Sequence, residues 1–92
     1  MFIGYLKVKL FIPNSHSLKE KRQLISGIKQ RIRNSYNISV GEKPLDKWQI
    51  TELSFVCVNY TKRCVEKTMF KVEEFIHFYK DVQVLDTERE IL

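Results

Sequence analysis

Residues that break or crosslink a fold are scarce in this 92-residue chain, which has three glycines, two prolines and two cysteines. Low-complexity linkers and disulfide-stapled scaffolds need many more of these residues, so both classes are excluded. Cys57 and Cys64 lack the spacing of a C-x-x-C pair and the wider ligand set of a zinc site. We therefore expect two buried, reduced thiols and no bound metal.

Long apolar runs and the common catalytic motifs are also missing. No run could span a bilayer, and residues 1–7 lack the charged start and cleavage site of a signal peptide. The chain has no Gly-rich phosphate loop, no H-E-x-x-H and no G-x-S-x-G. These absences predict a cytoplasmic protein without membrane contact, enzymatic activity, cofactor or small-molecule substrate.

Basic residues outnumber acidic ones. Sixteen Lys and Arg against 11 Asp and Glu give a formal net charge of +5, which favours anionic partners without requiring them. The hydrophobic share of 43% is ordinary for a globular domain, and the length suits one domain over residues 1–92. A core this small would gain stability from self-association.

The spacing of apolar residues predicts six elements. Alternation with a period of two indicates strands, and apolar residues three and four positions apart indicate helices. Residues from 87 onward are expected to form a frayed, charged tail. The order β-α-β-β-α-β predicts an α+β, ferredoxin-like fold with one four-stranded antiparallel sheet and two helices on one face. The predicted strands are 2–12, 37–42, 48–59 and 82–88, and the predicted helices are 17–34 and 62–79.

The first helix is predicted to begin with a capping box, because Ser17 and Glu20 have the spacing S-x-x-E. The Ser17 hydroxyl can accept from the backbone N–H three residues on, and Glu20 can reach back to the cap. At about 100° per residue, four basic side chains then fall within roughly a quarter turn of the helix. They are Lys19, Arg22, Lys29 and Arg33.

This basic stripe is typical of a surface that follows a phosphate backbone. The alternative is a solvated helix flank with a few ion pairs to neighbouring elements. His16 either hydrogen-bonds the helix start or helps to bind an anion beside the helix N-terminus. The candidate nucleic-acid-binding residues are His16, Lys19, Arg22, Lys29 and Arg33.

The sheet face away from the helices is predicted to carry mixed apolar residues. An exposed apolar patch usually marks an interface, and a two-fold dimer is an economical way to cover it, with Tyr5, Phe11 and Val56 as candidate contacts. Base stacking on Tyr5 and Phe11, as in an RNA-recognition motif, is less favoured because residues 54–58 lack that motif's basic and glycine positions. Trp48 is expected to pack at the core edge or in the dimer rather than stack on a base.

The segment I-P-x-x-H-S-L-K-E-K-R at residues 12–22, with Trp48-Gln49 opening a later strand, resembles the YlxP-like family (domain of unknown function number 503). The resemblance covers nearly the whole chain and implies a ferredoxin-like fold in a small bacterial cytosolic protein. Genes of that family tend to lie among translation and ribosome-maturation genes, which implies a role linked to RNA or the ribosome and no catalytic residue. We therefore predict a non-enzymatic module that binds RNA or the ribosome through helix one. The alternative is a homodimeric structural or adaptor domain that works through its open sheet face.

Overall fold

A computed structural model describes residues 1–43 and 45–92. The strands form one antiparallel sheet, in which the second strand of the chain is followed by the third, the first and the fourth, and both helices pack on one face. The predicted ferredoxin-like α+β fold is therefore confirmed. Pro44, in the predicted turn after the second strand, lies outside the described residues. The elements are β1 (Phe2–Phe11), α1 (Leu18–Ser35), β2 (Ser39–Glu42), β3 (Ile50–Asn59), α2 (Lys62–His77) and β4 (Gln83–Ile91).

The central strand is β1, which pairs with β3 along its whole length and with β4 from Gly4 to Phe11. Because both neighbours are strands, its backbone groups are satisfied within the sheet. Its inward side chains Leu6, Val8 and Leu10 are fully buried, so the predicted alternation is confirmed.

The core lies between this sheet face and the two apolar helix stripes. At Gly4 the second helix comes very close to the sheet, because a Cβ there would lie 2.5 Å from both Met69 Sδ and Val65 Cγ1. Only glycine allows this approach. The buried helix residues include Ile25, Ile28 and Ile32 of α1 and Val65, Met69, Val72 and Ile76 of α2.

The start of α1 carries the predicted cap with one difference. The Ser17 hydroxyl accepts from the Glu20 backbone N–H at 3.1 Å. The Glu20 carboxylate accepts from the backbone N–H of His16 at 2.6 Å, one residue beyond the cap. Two N–H groups near the helix start are thus satisfied by side chains, which fixes where the helix begins.

The prediction of a frayed tail is wrong. Residues from Thr87 continue β4 to Ile91, and Leu92 exchanges backbone hydrogen bonds of 2.8 and 2.9 Å with Ile3. The segment is charged because β4 is an edge strand, whose side chains remain largely in water. Its backbone is nevertheless held by the central strand β1.

Only one of the two thiols is buried. Cys57 lies on the inward face of β3, and burial raises its pKa above the usual value. Cys64 is exposed, which contradicts the prediction. It precedes the buried Val65 on α2, and one helical step of about 100° turns it to solvent.

Candidate functional site

The basic stripe of α1 lies beside β2, and the structure divides it into two halves. Lys19 and Arg22 are exposed and form no ion pair with any described residue. Lys29 pairs with Glu42 of β2 at 3.0 Å, and Arg33 donates to the Val40 carbonyl at 3.5 Å. The N-terminal half can therefore meet a ligand, whereas the C-terminal half is partly engaged with β2.

Lys21 belongs to the same sequence motif but not to this surface. It is only 3% exposed, and its ammonium donates to the carbonyls of Leu45 at 3.1 Å and Lys47 at 2.7 Å. Sequence reasoning missed this contact. The signal was its four-residue spacing from Ile25, which places Lys21 on the buried side of the helix. Lys21 thus fastens the loop between β2 and β3 to α1.

That loop presents Trp48 to solvent. Trp48 lies in a bend before β3 and is 54% exposed, so the prediction that it packs at the core edge is wrong, while the alternative of packing in a dimer stays a prediction. The next residue, Gln49, explains this exposure. Its backbone carbonyl accepts from the Ile12 backbone N–H at 2.7 Å, and its side-chain amide donates to the Pro13 carbonyl at 3.1 Å. These bonds tie the backbone to the end of β1 and leave the indole outside.

His16 shares a shallow groove with Trp48. The groove has a volume of about 580 Å³ and is called the His16–Trp48 groove below. The His16 backbone is engaged by Glu20, as described above, and its side chain is exposed. The groove is lined by Ser15, His16, Asp46, Lys47, Trp48, Gln49 and Ile50.

Two further depressions lie between this groove and the basic stripe and share lining residues with them. Asp46 also lines a depression of about 280 Å³ that contains Arg22. Arg22 in turn lines a third one of about 500 Å³, together with Lys19 and Ser26. The structure thus joins His16, Lys19 and Arg22 of the predicted site along one surface. It places Lys29 and Arg33 outside these depressions.

Acidic residues concentrate on the opposite edge of the sheet. Strand β4 carries Asp86, Glu88 and Glu90, all exposed. Glu88 binds the Lys7 ammonium at 3.2 Å, and this hydrogen bond raises the pKa of Lys7 above its usual value. The charge of Lys7 is thus compensated within the sheet, whereas Lys19 and Arg22 form no ion pair with a described residue.

The open sheet face contains the three candidate interface residues. Val56 is exposed, Phe11 is half-buried, and the half-buried Tyr5 lies with its hydroxyl 3.5 Å from Ser54 Oγ. Tyr5 and Val56 are register partners near one end of the face, and Phe11 lies at the other. The middle is charged, because Lys7 lies opposite Glu88 and Lys9 lies opposite both Glu52 and Asp86. Two apolar ends therefore flank an ionic band.

A groove of about 840 Å³ between the helices was not predicted. Tyr79 lines it beneath Arg31, whose guanidinium carbon lies 5.6 Å from the ring centroid. The close sequence grouping of Phe75, Phe78 and Tyr79 was the available signal. The charged residues that line this groove have both signs, so the groove does not favour an anion. They are Lys71, Lys80 and Arg31, which are basic, and Glu74 and Asp81, which are acidic.

The described residues offer neither a metal site nor a membrane-spanning helix. They contain no group of three or more His, Cys, Asp or Glu side chains placed to hold a metal ion. None of the helices in residues 1–43 and 45–92 is long and apolar enough to cross a membrane.

Comparison with known proteins places the chain in a family. The family model described as "Protein of unknown function (DUF503)" matches residues 3–89. The chain belongs to this family. It is 30% identical over 89 residues to "Uncharacterized protein YlxP" of Bacillus subtilis (strain 168), covering 96% of this chain and 97% of that relative. The resemblance seen in the sequence is confirmed.

Two similar solved structures are designed proteins. The de novo designed protein Foldit4 has a TM-score of 0.56 at 14% identity, covering 100% of this chain and 97% of that chain. At that identity the likeness concerns the fold alone. The designed protein LFR1 1, described as having a ferredoxin fold, has a TM-score of 0.46 at 12% identity. The match covers 99% of this chain and 85% of that chain.

Proposed function

We propose that the protein is a small cytoplasmic, non-enzymatic module that binds RNA, alone or within the ribosome, through the basic flank of α1. One observation carries the proposal. Lys19, Arg22 and Arg33 are exposed on this flank and form no ion pair within the described part of the chain, while the acids of β4 lie at the other edge of the sheet. A phosphate backbone complements such uncompensated cations.

The geometry limits how many phosphates the flank can neutralise. Lys19 and Arg33 are 14 positions apart, or about 21 Å at 1.5 Å per residue, so the flank can follow several nucleotides. Lys29 adds little to phosphate binding, because Glu42 already neutralises its charge. Three phosphate contacts at about −0.7 each predict that log affinity falls with log salt at a slope of about −2.

The test reverses two positive charges on α1, and the control reverses two positive charges on α2. The double variant Arg22→Glu, Arg33→Glu should lower affinity for a dye-labelled 12-nucleotide oligo(U) RNA by about tenfold or more at low salt. Its matched control, Arg63→Glu with Lys67→Glu, reverses two exposed cations on α2. Both variants lower the formal net charge from +5 to +1, since each reversal removes two units. Fluorescence anisotropy at several salt concentrations measures the affinities, and circular dichroism checks the fold.

Two outcomes contradict the proposal. Native protein without measurable affinity at low salt would exclude RNA binding. Equal losses in the two variants would mean that net charge acts without a defined surface. A loss confined to the α1 variant supports the proposal.

A second candidate function is a homodimeric structural or adaptor domain. Ile3, Val56 and Val58 are exposed on the open sheet face, and such apolar exposure favours a covering partner. In that function the basic flank would only aid solubility.

A further inference from the structure

We infer that the His16–Trp48 groove holds an unpaired base, so that the basic flank of α1 and Trp48 act as one site for single-stranded RNA. The inference rests on the proposed function and specifies its substrate class. The depressions share lining residues, since Asp46 lines both the groove and the depression at Arg22, and Arg22 lines both that depression and the one at Lys19.

Trp48 combines an exposed ring with a tethered backbone. The carbonyl before it, of Lys47, accepts from the buried Lys21 ammonium at 2.7 Å. The carbonyl after it, of Gln49, accepts from the Ile12 N–H at 2.7 Å. Little backbone freedom is then lost when a ligand covers the indole, so the platform is preorganised for binding. An aromatic ring held in this way suits stacking on a base.

The surrounding charges favour a nucleic acid over a neutral aromatic ligand. Lys47 lies on the rim of the groove, and Arg22 and Lys19 lie on the connected surface. Asp46, which lines both the groove and the depression at Arg22, repels a phosphate directly above it. Its carboxylate can instead accept a hydrogen bond from a base. Phosphates are therefore expected to contact Lys47 and Arg22 rather than Asp46.

Stacking selects the single strand. Bases inside an RNA helix stack on each other and are inaccessible to a side chain, whereas unpaired bases can be splayed onto aromatic rings. Duplex RNA can therefore use the cations but not Trp48. We expect single-stranded RNA to bind more tightly than duplex RNA of equal length.

The single tryptophan of the chain makes the test direct. Adding 12-nucleotide oligo(U) RNA to native protein should quench Trp48 fluorescence, with saturation at the concentration that saturates anisotropy. A 12-base-pair RNA duplex should leave the emission nearly unchanged. The readout needs no substitution, so it cannot be lost through misfolding.

Substitution of Trp48 gives the second measurement. Trp48→Ala should weaken single-strand binding by about tenfold, in line with the loss of one base–aromatic stack, while the salt slope stays the same. Trp48→Phe should retain most of the affinity. The matched control is Tyr60→Ala, which removes an exposed aromatic just after the far end of β3 and should have no effect.

The outcomes separate this inference from the proposed function. If native protein binds no RNA at low salt, both fail. If it binds with a slope of about −2 but Trp48→Ala matches native and the emission does not change, only the stacking site is wrong. Emission that shifts on dilution of the protein alone would mean that a second copy covers the groove, which also overturns the inference.

Discussion

Neighbouring lysines of one motif have different roles. Lys19 is exposed on the flank of α1, whereas Lys21 is buried and bonded to two loop carbonyls. Burying an ammonium is costly unless it is hydrogen-bonded, and here the acceptors belong to the loop that carries Trp48. Lys21 therefore links the stability of the fold to the shape of the candidate site.

Replacing Lys21 should destabilise the protein. Lys21→Met keeps the length of the side chain but leaves the carbonyls of Leu45 and Lys47 without their charged donor. We expect a loss of about 1–3 kcal/mol in the free energy of unfolding, measured from denaturant midpoints. Lys19→Met is the control and should change stability by no more than about 0.5 kcal/mol, because that side chain is on the surface. Equal midpoints for native and Lys21→Met would contradict this role of Lys21.

At the scale of elements, α1 and β2 share charges across their contact. Glu42 accepts from Lys29 at 3.0 Å and from the Thr51 hydroxyl at 3.4 Å. The strand thereby withdraws one cation from the basic flank. The helix does not set its phosphate-binding capacity alone, because β2 determines how many of its cations are available.

Removing the charge of Glu42 should increase RNA binding. Glu42→Gln retains an oxygen for the Thr51 hydroxyl and releases Lys29, so the salt slope should steepen from about −2 to about −3. The control, Glu52→Gln, removes the same charge from the open sheet face, where Glu52 lies 3.9 Å from Lys43. Oligo(U) anisotropy at several salt concentrations measures both variants. Identical slopes in the two variants would show that Lys29 does not reach the RNA.

At the scale of the whole molecule, the two candidate surfaces are separate. The basic flank belongs to the helical layer beside β2, while Tyr5, Phe11 and Val56 lie on the open sheet face. A dimer through the sheet would leave both basic flanks accessible. Its two copies would have to match their ionic bands, with the lysines of one facing the carboxylates of the other, since unpaired charges are costly in an interface.

The dimer is tested by placing a charge at one apolar end of the face. We expect native protein to be a dimer and Phe11→Lys to be a monomer, because the new ammonium would be buried without a partner. Phe70→Lys is the control, since Phe70 is exposed on α2 and lies away from the sheet face. Light scattering after size-exclusion chromatography gives the masses. Native protein that is monomeric at micromolar concentration would rule the dimer out.

Much of the fold and part of the site followed from the sequence, because their signals are local. The alternation in β1 and β3 and the stripes of α1 and α2 arise from repeats of two and 3.6 residues, which hold in any surroundings. The cap at Ser17 and the exposure of Lys19 and Arg22 depend only on the helix to which they belong. Element ends were less predictable, since β4 continues to Ile91 through pairing with β1.

The remaining features depended on contacts between distant residues. Lys21 is buried because Leu45 and Lys47 lie above it, 24 and 26 positions later in the chain. Lys29 is neutralised by Glu42, 13 positions away, and Trp48 is exposed because its neighbour Gln49 is tied to the end of β1. Local periodicity gives the direction of a side chain from its own helix or strand. What that side chain meets depends on the order of the strands and the path of the loops, which only the tertiary structure decided.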